Sequence, residues 1–515
     1  MPAPLLKATA LQKSYGEQTL FNIPCLEIYE GQRIGLVGEN GCGKSTLLQI
    51  LNGSLAPDHG QIQRRCKIAF LQQEDSLHPF SVHDLDSSAR RFLPQGPGKS
   101  GGELRRKGIA AVLSQNAPLL FADEPTNNLD LAGITMLEES LLHYRGAVVF
   151  VSHDRELLDR VCTSLWALDG GELRIFPGNY SAWAAQRQQE QDFAQFEYDQ
   201  YQKQRNHLIA EARNLRQQAK SMNKAPKRMG NSEARLHKGT TTISQAALQN
   251  RAKAIDKRIA LLEKKDKPFQ APGIKMGADS KGFVSQTAVR IEHGEVRRGN
   301  HLILEDVSFT LPSGSKTVLL GENGAGKTSL AEYLLSGGPG VSLAPGLETG
   351  FFTQHHEILD PDLTVLENAQ ADSCLTEREV RSILANLLLP AKYLQKPVHL
   401  LSGGERAKTA FARLLASQRG LLILDEPTNH IDFLAAEALE QFLLAWKGTL
   451  LLITHDRRLA EKIGQRLLLV EKGHVCTFEG TFSQWQASQK PASNDSLLIL
   501  MEQMRRAAET PKGRG

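Results

Sequence analysis

Apolar positions along this 515-residue chain are grouped in two ways. Short runs of Val, Ile, Leu and Phe, such as RIGLVG (33–38), LLFAD (119–123) and VVFV (148–151), have the length and composition of buried strands. Most lead into helical stretches, and the alternation predicts an α/β fold. Between residues 184 and 266 the pattern changes. Residues 184–219 are rich in Gln, Glu, Arg and Ala, with apolar residues at Phe193, Phe196 and Tyr201, and predict a long helix. Pro226 and Gly230 then act as breakers. Residues 244–266 resume a helical pattern, with Leu248, Ala252, Ile255, Ile259 and Leu262 three or four apart. A short turn makes neighbouring helices antiparallel, so these two predict a hairpin. At about 1.5 Å per residue its tip would stand roughly 50 Å out. A plain solvated linker is the competing reading. Near the end, LLILMEQMRRAA (497–508) reads either as a short amphipathic helix before a basic PKGRG tail or as a frayed terminus.

The strand-like runs recur. RIGLVGENGCGKSTLLQIL (33–51) returns as TVLLGENGAGKTSLAEYLL (317–335), LLFADEPTNNLD (119–130) as LLILDEPTNHID (421–432), and VVFVSHDRELLD (148–159) as LLLITHDRRLAE (450–461). The chain is therefore a tandem duplication. Lys44 and Lys327 lie 283 positions apart, whereas Glu124 and Glu426, like His153 and His455, lie 302 apart. The first copy is shorter between Gln73 and Ser100, 27 positions against 48 between Gln354 and Ser402. The duplication divides the chain into 1–183, a linker 184–268 with a basic tip 220–239, a second copy 269–486 and an extension 487–515.

Composition changes this picture little. Forty-one per cent hydrophobic and 23% charged residues are ordinary for a globular protein. A net charge of +4 is small, so affinity for nucleic acid must come from local clustering. Cys25, Cys42, Cys66, Cys162, Cys374 and Cys476 are scattered without metal-ligand spacing, which suits reduced thiols in a cytoplasmic protein. No run of about 20 apolar residues is present to span a membrane.

The repeated motifs carry phosphate chemistry. GENGCGKS (38–45) and GENGAGKT (321–328) match GxxxxGK[ST] between a strand and a helix. Backbone N–H groups of such a loop wrap phosphates at a helix N-terminus, where the dipole favours anions. The candidate ATP-binding set is Gly38, Asn40, Gly41, Gly43, Lys44, Ser45 and Thr46, with Gly321, Asn323, Gly324, Gly326, Lys327, Thr328 and Ser329. The lysines should reach the β/γ-phosphates. Ser45, Gln73 and Asp123 in one copy, and Thr328, Gln354 and Asp425 in the other, are the candidate Mg²⁺ ligands. Glu124 and Glu426 follow each strand-end aspartate and are positioned to orient or deprotonate water, with His153 and His455 candidates for contact with the γ-phosphate. Ser100, Gly101 and Gly102, like Ser402, Gly403 and Gly404, open helices without a lysine of their own. Such a serine and two glycines form an anion site that is useful only against the other copy's P-loop. One ATP then lies between Lys44 and Ser402, the other between Lys327 and Ser100.

P-loop, glutamine loop, SGGE, DEPTN and histidine switch, in that order and twice, resemble the ATP-binding cassette superfamily. DEPTNNLD, DEPTNHID and the linker's PKRMGNSEARL resemble the ABC-F proteins in particular. The resemblance covers nearly the whole chain. It implies two tandem ABC-type P-loop ATPase domains joined by an α-helical hairpin, pairing within one monomer. It also implies Mg-dependent ATP hydrolysis and ATP-gated binding at the ribosomal E site, with the hairpin aimed at the peptidyl-transferase centre. Partners would be 23S rRNA, P-site tRNA and large-subunit proteins. The short first copy with GKSGGE is similar to resistance ABC-F proteins of the Vga/Vml/Sal kind, which displace lincosamides, pleuromutilins and group A streptogramins. Members of the family stack adenine on an aromatic near each copy's start. Tyr15 matches that place in the first copy, and Arg298 stands there in the second.

The linker tip bears six bases (Lys220, Lys224, Lys227, Arg228, Arg235, Lys238) against one acid, Glu233, whereas residues 184–219 are balanced at five and five. Those six are the candidate RNA contacts. With no aromatic residue between Tyr201 and Phe269, the tip would grip backbone phosphate and shape rather than stack on bases. Three rival readings remain: a housekeeping translation factor without a resistance role, the energising subunit of a membrane transporter, and a chromosome ATPase. The basic hairpin and the shortened first copy argue against a transporter subunit, and the lack of zinc-type cysteines against a chromosome ATPase.

Overall fold

The computed structural model describes residues 3–16, 18–72, 91–92, 101–221, 231–265, 285–353, 358–417, 419–429 and 431–489, with the backbone alone for residues 18, 101 and 231–244. The chain forms two units, one of residues 1–180 with 271–515 and the other of residues 181–270.

In the first copy, strands β3 (Arg33–Gly38), β5 (Ile68–Leu71), β6 (Leu119–Asp123), β7 (Ala147–Val151), β8 (Ser164–Asp169) and β9 (Glu172–Pro177) form a sheet ordered β5-β6-β7-β3-β8-β9. All pairings are parallel except the antiparallel β8–β9. Every residue of β6 and β7 is buried, as expected of central parallel strands covered on both faces. A three-stranded antiparallel sheet, β1 (Leu6–Tyr15), β2 (Gln18–Ile28) and β4 (His59–Arg64), packs beside it. The second copy repeats this order. Strands β10 (Thr287–Arg298), β11 (His301–Pro312) and β13 (Val341–Leu343) form the small sheet. Strands β14 (Thr349–Phe352), β15 (Leu421–Asp425), β16 (Thr449–Ile453), β12 (Lys316–Gly321), β17 (Arg466–Glu471) and β18 (His474–Glu479) form the large one.

The second copy carries a helical arm, Val365–Gln370 and Glu377–Asn386, whose Val380, Ile383 and Leu384 pack with Phe411 into the domain core. The Phe352 and Phe411 rings stack at 4.0 Å. The corresponding stretch of the first copy, 73–100, lies outside the described residues except for Arg91 and Phe92.

The linker unit consists of helices Tyr180–Ser221 and Asn231–Leu261. The first spans about 63 Å at 1.5 Å per residue. Leu208, Ala212, Ala219 and Ala252 are the unit's buried apolar side chains among the described residues. Arg216 pairs with Asp256, and Lys265 with Glu197 at 3.7 Å. The second helix begins at Asn231, thirteen residues earlier than its periodicity indicates, so Arg235 and Lys238 of the basic tip lie on helix rather than loop. Lys220 is exposed in the last turn of the first helix. Lys224, Lys227 and Arg228 lie outside the described residues, as do most of 487–515 and the helix expected at 497–508.

Candidate functional site

Both P-loops join a buried strand to a helix. β3 ends at Gly38 and helix Lys44–Asn52 follows; β12 ends at Gly321 and helix Lys327–Leu335 follows. Gly43 and Gly326 share a φ of 103°, left-handed backbone that L side chains rarely adopt. Lys44 Nζ donates to the carbonyls of Gly38 and Glu39 at 2.8 and 2.9 Å. Lys327 Nζ donates to those of Gly321 and Glu322, both at 2.9 Å. Each ammonium is thus held over its own loop. Burial pulls the Lys327 ammonium below its usual range, against the pull of Glu426 and Asp425.

The strand-end acids face these loops. Thr328 Oγ1 donates to Asp425 Oδ2 at 2.6 Å, and Ser45 hydrogen-bonds Asp123. Burial raises both aspartates above the ordinary carboxylate range, partly offset by those hydroxyls. Glu124 and Glu426 adopt left-handed φ values of 46° and 48°, at a cost of about 1–3 kcal/mol each. In each case the backbone N–H donates to the neighbouring strand, at Val151 O (3.0 Å) and Ile453 O (2.9 Å). His153 Nε2 stands 3.1 Å from Glu124 Oε1, and His455 Nε2 stands 3.5 Å from Glu426 Oε1. Burial, reinforced by Asp425, pushes the Glu426 carboxyl up to about 8, and burial pulls His455 down to about 4. His153 is lowered by burial too, against Glu124. Asp123 Oδ1, Glu124 Oε2 and Glu426 Oε1 are buried without a hydrogen-bond partner.

The copies meet across these loops. A cavity of about 550 Å³ is lined by Tyr15, Asn40, Gly41, Gly43, Lys44, Ser45 and Thr46, by Asp123, Glu124 and His153, and from the second copy by Gly403 and Gly404. That volume suits a nucleotide-sized ligand. The first P-loop therefore faces the second SGGE, as the sequence requires. At the other P-loop, Asn323 Nδ2 donates to Asn128 O of the first copy at 2.7 Å, while His455 Nε2 stands 3.1 Å from Asn323 Oδ1. A Cβ on Gly102 would lie 2.9 Å from Asn323 Nδ2 and 2.7 Å from Asn128 O. The second P-loop thus abuts the first SGGE.

Gly324, Gly326 and Ser329 belong to the second loop and the helix it feeds, and Gly101 begins the helix Gly101–Leu113. Ser402 does not line the cavity. Its hydroxyl forms a capping box with Glu405 at the head of helix Gly403–Ala416. Arg298, the counterpart of Tyr15, is exposed at the end of β10 and pairs in register with His301. Gln73, Ser100 and Gln354 lie outside the described residues. Sequence reasoning missed Arg105. Its guanidinium, 2% exposed, donates to the carbonyls of Gln72 (2.6 Å), Asp123 (2.8 Å) and Glu124 (2.7 Å), bracing the strand end that carries both acids. The second copy has Ala407 at that place.

The ABC transporter family model matches residues 21–92 and 304–429. The chain is 30% identical over 473 residues to ribosome protection protein VmlR of Bacillus subtilis, covering 89% of this chain and 85% of that one. The chain belongs to the ABC-F family. This ABC-F chain is also 32% identical over 467 residues to the erythromycin resistance ATP-binding protein MsrA of Staphylococcus epidermidis, covering 86% and 93%. It is 28% identical over 557 residues to the probable ATP-binding protein YbiT of Escherichia coli, covering 94% and 99%. As an ABC-F protein it is an ATP-hydrolysing ATPase with two cassettes. No helix among its described residues is long and apolar enough to cross a membrane.

Proposed function

We propose that this ABC-F ATPase binds the ribosome in its ATP-loaded form, extends its linker hairpin from the E site toward the peptidyl-transferase centre, and displaces antibiotics bound there. Lincosamides, pleuromutilins and group A streptogramins are the drug classes expected. The observation that carries this reading is the cavity shared by the first P-loop and Gly403–Gly404 of the second copy, in a chain whose linker is a pair of long helices. Nucleotide bound there touches both copies, so binding closes them and hydrolysis releases them. The name of VmlR supports ribosome protection as the outcome, and that of MsrA supports antibiotic resistance. A translation factor without a resistance role is the second reading, kept open by the similarity over 94% of the chain to YbiT, whose name speaks of ATP binding and not of resistance.

In each site the P-loop lysine and loop amides bind the phosphates, Tyr15 covers adenine in the first site and Arg298 in the second. Ser45 with Asp123, and Thr328 with Asp425, offer hydroxyl and carboxylate oxygens, a donor set that fits Mg²⁺. Asp123 Oδ1, buried and unpartnered, is free to take a place in that shell. The ion would neutralise phosphate charge. Gln73 and Gln354 would complete its surroundings. Glu124 and Glu426 accept a proton from the attacking water, and His153 and His455 fix their orientation. In a Glu124→Gln chain only the second site keeps its glutamate. Its kcat/KM for ATP should rise with pH through about 8, because Glu426 must be ionised to act and loses its charge as pH falls through that value. A profile flat from about pH 6 to 9 would contradict this role.

Lys220, Lys224, Lys227, Arg228, Arg235 and Lys238 contact rRNA and tRNA phosphates, and displacement acts mainly through shifted RNA. An alanine series across residues 220–239, scored in a drug-susceptibility panel in a sensitised host, tests this. Resistance should fall with each basic position, and ribosome affinity should lose its salt dependence in parallel. Loss confined to Met222, Met229 or Leu236 and to one drug would point to direct contact instead. No protection against any drug in the panel would leave the translation-factor reading.

A further inference from the structure

Each histidine switch is three consecutive residues with three destinations. In the first copy His153 faces Glu124, Asp154 caps helix Arg155–Val161 through Glu156 N and Leu157 N, and Arg155 leaves for the other copy. Arg155 Nη1 lies 3.2 Å from Glu440 Oε2, its Nη2 donates to Phe433 O at 3.4 Å, and its guanidinium covers the Phe433 ring at 4.4 Å. The second copy repeats the crossing in reverse. Asp456 caps helix Arg457–Ile463, and Arg457 Nη1 lies 2.9 Å from Glu138 Oε1, with Nη2 donating to Thr135 Oγ1 at 3.0 Å. The four principals are almost fully buried, at 6, 4, 4 and 3% side-chain exposure for Arg155, Glu440, Arg457 and Glu138. Each glutamate takes a second cation from its own copy, Lys462 for Glu440 and Arg160, at 3.0 Å, for Glu138.

This is a self-complementary contact about a pseudo-twofold axis, since 155 and 457, 138 and 440, and 160 and 462 are all 302 apart. Its glutamates sit on helices Leu131–Leu142 and Phe433–Ala445, capped by Asp130 and Asp432 at the end of the segments that begin with Glu124 and Glu426. A continuous path therefore runs from His153 through Arg155 and Glu440 to the segment carrying Glu426, and its mirror runs from His455 to Glu124. Breaking one partner of such a buried pair leaves an uncompensated charge, so the two histidine loops cannot move apart singly at small cost.

We infer that Arg155 and Arg457 are positioning residues that tie the histidine of each ATP site to the helix behind the other site's glutamate, making the two sites hydrolyse as one unit. The inference rests on the roles proposed for Glu124 and Glu426. The test is a ratio: ATP turnover of a Glu124→Gln chain divided by that of the chain with both glutamates. With both arginines present the ratio should be below about one-tenth, because stalling one site stalls the other. In an Arg155→Met, Arg457→Met background it should rise to about one-half, the value for independent sites. An equal ratio in both backgrounds, or a ratio near one-half with the arginines in place, overturns the inference. Each ratio is internal to its background, so a general loss of stability does not imitate the effect. Should the methionine chain not fold, Arg155→Lys with Arg457→Lys keeps the charge but not the planar fork and should give an intermediate ratio. A ratio for that chain unchanged from the parent counts against the inference. Turnover within tenfold of the parent in a Glu124→Gln, Glu426→Gln chain would instead overturn the catalytic glutamates, and the inference with them.

Discussion

Replacing both Glu124 and Glu426 with glutamine is expected to lower ATP turnover about 10³-fold while leaving nucleotide binding intact. Glutamine keeps the size and shape of the side chain but cannot accept a proton from water. The backbone should tolerate the change, because the left-handed φ values of 46° and 48° are fixed by main-chain bonds to Val151 and Ile453. Those bonds do not involve the side chain. The carboxylates are prepared for this role by isolation. Glu124 Oε2 and Glu426 Oε1 lack hydrogen-bond partners, and burial disfavours the charged form of the histidines nearby. Turnover within tenfold of the parent, in a steady-state phosphate-release assay, would remove both glutamates from the mechanism.

The second large effect is steric. Gly102→Val in the Glu124→Gln chain should lower turnover at the second site about 100-fold, since an ångström of displacement at a reacting centre costs that much. Even the first added carbon would lie 2.7 Å from the main-chain oxygen of Asn128 and 2.9 Å from Asn323, closer than carbon can approach. The added carbon would break the Asn323–Asn128 hydrogen bond that joins the second P-loop to the first copy. Binding of a fluorescent nucleotide should persist, because Lys327 is held by its own loop at Gly321 and Glu322. Loss of binding and turnover together would show instead that Gly102 is needed for the fold of the site.

The duplicated strands, both P-loops and the face-to-face arrangement of the copies were legible because they rest on local pattern and on a repeat. Other features were not. Residues 231–243 carry no apolar stripe, so the early start of the second linker helix at Asn231 has no periodic signal. Gly230 reads as a breaker, yet the helix starts at the next residue. Ser402 and Glu405 form the S-x-x-E capping box, which competes for the hydroxyl that the motif assigns to phosphate. Arg105 escaped because motif comparison highlights what the copies share, and Ala407 stands opposite it. Arg155 and Arg457 were visible as the last letter of SHDR and THDR. Their partners, 285 and 319 positions away, were not. Local spacing cannot report a pairing between residues so far apart in the chain.

In the proposed function, nucleotide clamps the two copies together and the ribosome holds the clamped form. Cosedimentation of the Glu124→Gln, Glu426→Gln chain with 70S particles tests it, with and without ATP, at modest ionic strength. Near-complete pelleting is expected with ATP and little without it. Recovery of the ATP-loaded variant in the supernatant would rule out a ribosome-bound clamp.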